Sequence, residues 1–405
     1  MNMKFYINYY AMVLGVFLFL SNTNISIAQD CNKIQTAFTN SYANEKDKDY
    51  KKAIENLKSV YNKDSYEINL RLGWLNYLSG LYTESISYYK KAVEIRPSTV
   101  EARFGLAYPV YAQSNSDELK KNYIEILELD PKNSVANYRL GCIYYYKEKD
   151  YQSALKYFEV AESLYPFNYY ISIMHAWTSE MLGEHDDAKE LFNKSLMLSP
   201  NDPSAIEGLA LIKSKNSSSI STDYTKVQAA FAYSYTNETA GAYSKAIDNL
   251  KFVYDEKSYE INLRLGWLCY LNEMYPQSIE YYKKAIAIKP LSVEARFGIA
   301  YPIYASKKTE DLKAQYLEIL KIDPQNTIAN YRLSCLFYKD KDYKKALKHG
   351  NIAEQLYYFD YSITVSNAWT NKMLEQYAKA QELFNKVLIL SPQDKSALLG
   401  LSKNK

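Results

Sequence analysis

The chain contains the same sequence twice. The segment SYEINLRLGWL that starts at Ser65 starts again at Ser258, letter for letter, an offset of 193 residues. VEARFG at Val100 returns at Val293, and ELFNK at Glu190 returns at Glu382. Residues 30–213 and 223–405 therefore read as two copies of one module, joined by a Ser-rich linker at 214–222. A duplication on this scale restricts the fold to one that can be laid down twice. It also gives most residues a twin, so that a feature present in both copies can be told from one present in a single copy.

The 49 basic and 46 acidic residues nearly cancel, and no Lys/Arg block stands out. The composition thus carries no nucleic-acid footprint. Only 12 Gly and 11 Pro argue against an all-β or loop-rich chain, and the 43 Tyr are spaced regularly enough to read as helix-packing and groove residues. At the N-terminus, Lys4 precedes the apolar run Ala11–Leu20, which is too short to span a bilayer, and Ser26-Ile27-Ala28 has the small-x-small form of a cleavage site. Residues 1–28 are read as a secretory signal peptide cut after Ala28, with an uncleaved anchor as the alternative. The mature chain is then exported, periplasmic or secreted, and has no transmembrane segment. Of the four cysteines, Cys142 and Cys335 are twins in separate modules, while Cys269 and Cys31 answer to Asn76 and Tyr224, so no obligatory disulfide framework is expected.

A shorter period runs inside each module. From Tyr66 to Thr99, Leu72-Gly73 is followed by Gly80, Tyr82, Ser85, Tyr89, Ala92 and Pro97; the twin set includes Leu265-Gly266, Tyr275, Ser278, Tyr282, Ala285 and Pro290. Ser85, Tyr89 and Ala92 fall on one helix face, Gly73 permits close helix approach, and Pro97 ends the second helix. This pattern resembles the tetratricopeptide repeat, a helix-turn-helix unit of about 34 residues, although Asn69 and Asn262 stand where that family often has Trp. Five units can be placed per module, with a closing helix at 204–213. The resemblance implies an all-α solenoid of about ten units in two tandem modules. Pro109 and Pro302 either kink the first helix of the third unit or end it early.

Signatures of chemistry are missing: there is no phosphate loop, GxSxG elbow or HExxH, and His175, His185 and His349 have no His twins. No catalytic, cofactor or metal site is expected. The resemblance places certain positions of each first helix in a concave groove. By that register Trp74, Trp177, Trp267 and Trp369 face it, as do Tyr77, Tyr138, Tyr145, Tyr270, Tyr331 and Tyr338. Arg71, Arg103 and Arg139, with twins Arg264, Arg296 and Arg332, occupy one repeated position and would form a ladder of roughly 10 Å steps. Family members that clamp a C-terminal carboxylate also use a Lys and an Asn, here Leu70 and Trp74, so the full clamp is absent. For the arginines the alternative to ligand contact is structural pairing; for the tryptophans it is packing between neighbouring helices. The expected function is non-catalytic binding of a protein or extended peptide by a scaffold of the cell envelope. The alternative is an envelope glycan, stacked on the tryptophans.

Overall fold

The computed structural model describes residues 32–215 and 224–402, and their regular structure is entirely helical. The leader at 1–28, Cys31 and most of the Ser-rich linker lie outside the described residues. The first module comprises α1 (32–46), α2 (Tyr50–Lys58), α3 (Tyr66–Leu78), α4 (Tyr82–Ile95), α5 (Glu101–Ala112), α6 (Ser116–Leu129), α7 (Ser134–Ile143), α8 (Tyr151–Leu164), α9 (Tyr169–Leu182), α10 (His185–Leu198) and α11 (Pro203–Lys215). The second comprises α12 (Thr225–Thr239), α13 (Tyr243–Lys251), α14 (Tyr259–Leu271), α15 (Tyr275–Ile288), α16 (Val293–Ala305), α17 (Thr309–Ile322), α18 (Thr327–Lys339), α19 (Tyr343–Leu356), α20 (Tyr361–Met373), α21 (Tyr377–Leu390) and α22 (Lys395–Ser402). α5 and α16 run on past Pro109 and Pro302, so neither proline ends its helix.

Local chemistry explains the helix pair. Ser65 caps α3 by accepting from the Ile68 amide at 3.3 Å. Ser85 Oγ donates to the Gly73 carbonyl at 2.7 Å, tying α4 to α3. Tyr89, almost fully buried, lies against Gly73 and Gly105, where a Cβ would sit 2.8 and 2.2 Å from its ring. One side chain thus locks α3, α4 and α5 together. Tyr282 does the same between Gly266 and Gly298. Phe158, Phe192 and Phe384 occupy the equivalent place against Gly141, Gly208 and Gly400.

The twin offset is 193 for Cys142 and Cys335 but 192 for Tyr151 and Tyr343. Between these positions lies a π-helical turn, Tyr144–Glu148, which is absent from the unbroken twin helix α18. The first module carries one extra residue there, and the wider turn takes it up without shifting the helices that follow.

The compact units cut across the sequence modules. One contains residues up to Gln113 together with Glu354–Lys405; the other is Ser114–Ala353. In the first, Phe38 meets Phe359 edge-on at 6.1 Å and Tyr66 meets Tyr358 at 5.4 Å. There the Val100 amide donates to the Leu356 carbonyl at 3.0 Å. In the second, Phe167 packs on Phe231 at 5.6 Å, and Leu164 and Met197 join the core around Tyr259. Each unit therefore takes its opening helices from one module and its closing helices from the other.

Candidate functional site

Glu45, near the end of α1, organises the site. Its carboxylate accepts from Trp74 Nε1 at 2.7 Å and pairs with Arg71 at 2.5 Å; the Arg71 guanidinium lies 4.2 Å over the Tyr42 ring. The partner of Arg71 thus comes from the preceding repeat, while Glu67, one turn back, accepts from Ser65 Oγ. Trp74 continues into an aromatic row, with Tyr77 at 5.7 Å, Tyr108 at 6.2 Å and Tyr77 to Tyr108 at 5.5 Å. In the second unit Glu238 holds Trp267 and Arg264 at the same 2.7 and 2.5 Å, Arg264 covers Tyr235, and Trp267, Tyr270 and Tyr301 form the same row.

Trp74 and Tyr108 of this row also line an open cavity of about 450 Å³ in the first unit. Its walls are Tyr42, Leu70, Arg71, Trp74, Tyr89, Glu101, Phe104, Gly105 and Tyr108 from the first module, and Tyr357, Phe359 and Leu390 from the second. Each of these has a twin of the same type: Tyr235, Leu263, Arg264, Trp267, Tyr282, Glu294, Phe297, Gly298 and Tyr301, with Tyr165, Phe167 and Leu198. All of the twins belong to the second unit. Glu101 accepts from the Phe359 amide at 3.0 Å and from the Tyr66 hydroxyl at 2.9 Å. Glu294 accepts from the Phe167 amide at 3.0 Å and from the Tyr259 hydroxyl at 3.1 Å. Burial pushes both carboxyls up to about 7 against these stabilising hydrogen bonds.

The proposed site residues are distributed unevenly. Arg71, Arg103 and Arg264 are buried, Arg296 is half-buried, and Arg139 and Arg332 are exposed beside Tyr138 and Tyr331. Arg103 donates to the Pro97 and Thr99 carbonyls at 2.7 and 2.8 Å, stitching the turn between α4 and α5. Arg296 donates to the Ser292 carbonyl at 3.1 Å, and burial lowers its pKa. The six arginines are thus not an even row of free guanidiniums. All four tryptophans are partly exposed. Trp177 and Trp369 donate to Ser204 and Ser396 at 2.7 Å, fastening the closing helices α11 and α22. Tyr138, Tyr145, Tyr331 and Tyr338 are half-buried, with Tyr145 edge-on to Tyr151 and Tyr338 edge-on to Tyr343.

Sequence reasoning passed over the carboxylates. Glu45, Glu101 and their twins lie on helices among many other acidic residues, and only their return at the same offset sets them apart in the sequence. The same applies to Glu162, which takes hydrogen bonds from His175 and Lys194, and to its twin Glu354 beside Asn367 and Lys386. Among the described residues there is no cluster of His, Cys, Asp and Glu able to hold a metal ion. None of their helices is long and apolar enough to cross a membrane, and Cys142, Cys269 and Cys335 are free thiols.

Family models of the tetratricopeptide repeat match residues 66–99, 259–290 and 135–168. A curated relative described as "Uncharacterized protein ycf37", from Cyanophora paradoxa, is 40% identical over 74 residues, which are 18% of this chain and 42% of that protein. The chain thus spans less than half the length of that relative. Among solved structures, a tetratricopeptide repeat protein from Parabacteroides merdae is 16% identical with a TM-score of 0.40, covering 67% of this chain and 99% of its own. A structure titled MamA protein is 20% identical with a TM-score of 0.37, covering 47% of this chain and 98% of its own.

Proposed function

Because this chain is a tetratricopeptide-repeat protein, we propose that it is a non-catalytic scaffold of the cell envelope that binds a protein or extended peptide along the aromatic row of each unit. The observation that carries this reading is the return of every wall residue of the cavity, unchanged in type, in the other unit. Helix packing accounts for Tyr89 and Gly105, but it does not require Tyr108 and Tyr301, which are 54% and 53% exposed. Exposed aromatics beside an open, mostly apolar cavity offer large contact area at low entropic cost. Tyr77 and Tyr270 extend the surface, and Arg139 and Arg332 remain open for polar contacts in the second unit. Two matched sites on one chain would raise avidity for a partner that repeats its own motif.

Export rests on the leader-like first 28 residues, and sequencing the N-terminus of the protein recovered from cells tests it: the expected first residue is Gln29. Binding is tested by affinity purification from the envelope fraction with the wild-type chain and with Tyr108→Ser plus Tyr301→Ser. A partner that is retained by the first, lost with the second and released by its own peptides supports the reading. Equal retention by both, or release by envelope glycans instead of peptides, sinks it.

A further inference from the structure

Resting on that reading, we infer that the partner places a lysine or arginine side chain in the aromatic cavity, with Glu101 as its counter-charge in the first unit and Glu294 in the twin set. The cavity wall is mostly aromatic, and the negative faces of Trp and Tyr rings attract cations. The cation already present, Arg71, is committed: it pairs with Glu45 and covers Tyr42. Glu101 is differently placed. Both hydrogen bonds given to it come from neutral donors, the Phe359 amide and the Tyr66 hydroxyl. Lys386 also lowers its pKa through its charge, but that cation is bonded to Glu354 at 2.8 Å and to the Tyr358 carbonyl at 2.9 Å, while Asp360 acts in the opposite sense. Glu294 has the same neutral donors, with Lys194 and Glu260 as its charged surroundings; Lys194 is bound to Glu162. An anionic side chain would meet these carboxylates, and a neutral one would leave them uncompensated.

A cation entering the cavity favours ionised Glu101, which burial otherwise keeps protonated up to about 7. Binding therefore releases a proton and tightens as pH rises. Loss of ionisation over the unit of pH below that value weakens binding by up to about tenfold.

The test uses the full chain and four capped heptapeptides, Gly-Ser-Gly-Xaa-Gly-Ser-Gly, with Xaa as Lys, norleucine, Phe or Glu. Titrations are followed by tryptophan fluorescence at pH 6 and pH 8. The expected result is that the Lys peptide binds about fivefold tighter or more than its neutral straight-chain analogue norleucine at pH 8, and that this preference shrinks at pH 6. Glu101→Gln plus Glu294→Gln should abolish both the preference and its pH dependence, with the melting temperature as the check on folding. If that variant does not fold, the comparison of Lys with norleucine in the wild type still decides. Norleucine or Phe binding as well as Lys would overturn the cation assignment and leave the aromatic site standing. If none of the peptides binds, the cation assignment falls; if the partner purification also shows no dependence on Tyr108 and Tyr301, the site itself falls with it.

Discussion

At the scale of single residues, the duplication acts as a control that most proteins lack. Left-handed turn positions recur as twins with different occupants: Gly80 has φ 75°, while its twin Glu273 has φ 57°. A side chain in that region costs about 1–2 kcal/mol. Glu273→Gly should therefore stabilise the chain by up to about 1 kcal/mol in a denaturant titration, and Gly80→Glu should cost a similar amount. Gly73→Ala is a different case, because its Cβ would lie 2.8 Å from the Tyr89 ring. Overpacking of this kind costs about 1–3 kcal/mol. The carboxyls predict the pH response. Glu101 and Glu294 titrate near 7 when folded and near their ordinary 4.5 when unfolded. Between those values the folded chain holds more protons, so stability should fall as pH rises from about 4.5 to about 7, by at most about 3 kcal/mol per carboxyl. Glu162 behaves oppositely. Burial opposes its ionisation, but His175 and Lys194 outweigh burial and hold it at about 2, so its contribution is lost as pH falls from 4.5 toward 2. Melts of Glu101→Gln plus Glu294→Gln should flatten only the upper window.

At the scale of elements, the helix pairs were legible in the sequence because their causes are local. Ser65, Asn133 and Asn168 cap helices within three residues of themselves, and Tyr89 finds its glycines at the repeat spacing. The π turn was less legible: three consecutive tyrosines, Tyr144 to Tyr146, give no sign of a wider turn until the twin is laid beside them. Deleting Tyr145 should convert this segment to the form of α18 at a cost within about 1 kcal/mol, judged by thermal melting. Deleting Leu140, which is fully buried, should cost several times more, since no such slack exists there. Trp177 and Trp369 each donate one of the bonds that hold the closing helices, beside the packing of Phe192 and Phe384 on Gly208 and Gly400. Ser204→Ala plus Ser396→Ala should cost about 1 kcal/mol per site and raise hydrogen exchange in α11 and α22 ahead of the rest.

At the scale of the whole molecule, both compact units draw on both modules. This predicts that a chain cut at a protease site engineered into 216–223 will not come apart. The two fragments should co-elute on size exclusion, because each supplies side chains to a core built mainly by the other; separation without denaturant would contradict the exchange. Phe167→Ala and Phe359→Ala, which remove the aromatic contact at each junction, should lower the denaturant needed to separate the fragments.

The sequence alone determined the repeat, the helices, the small residues that let them pack and the aromatic stock of the first helices. All of these follow from spacing along one stretch of chain. The tertiary structure decided which half of each module meets which. Phe167 binds Glu294 through its amide, although an identical Glu101 lies in its own module; Phe359 binds that Glu101, although Glu294 lies in its own. The two pairings use the same residue types, so nothing in the letters separates them. The arginines were hidden for a related reason. Whether a guanidinium at one repeated position is buried against Glu45, spent on a turn carbonyl or left in water depends on what the neighbouring repeat places beside it, and that neighbour is a property of the folded chain.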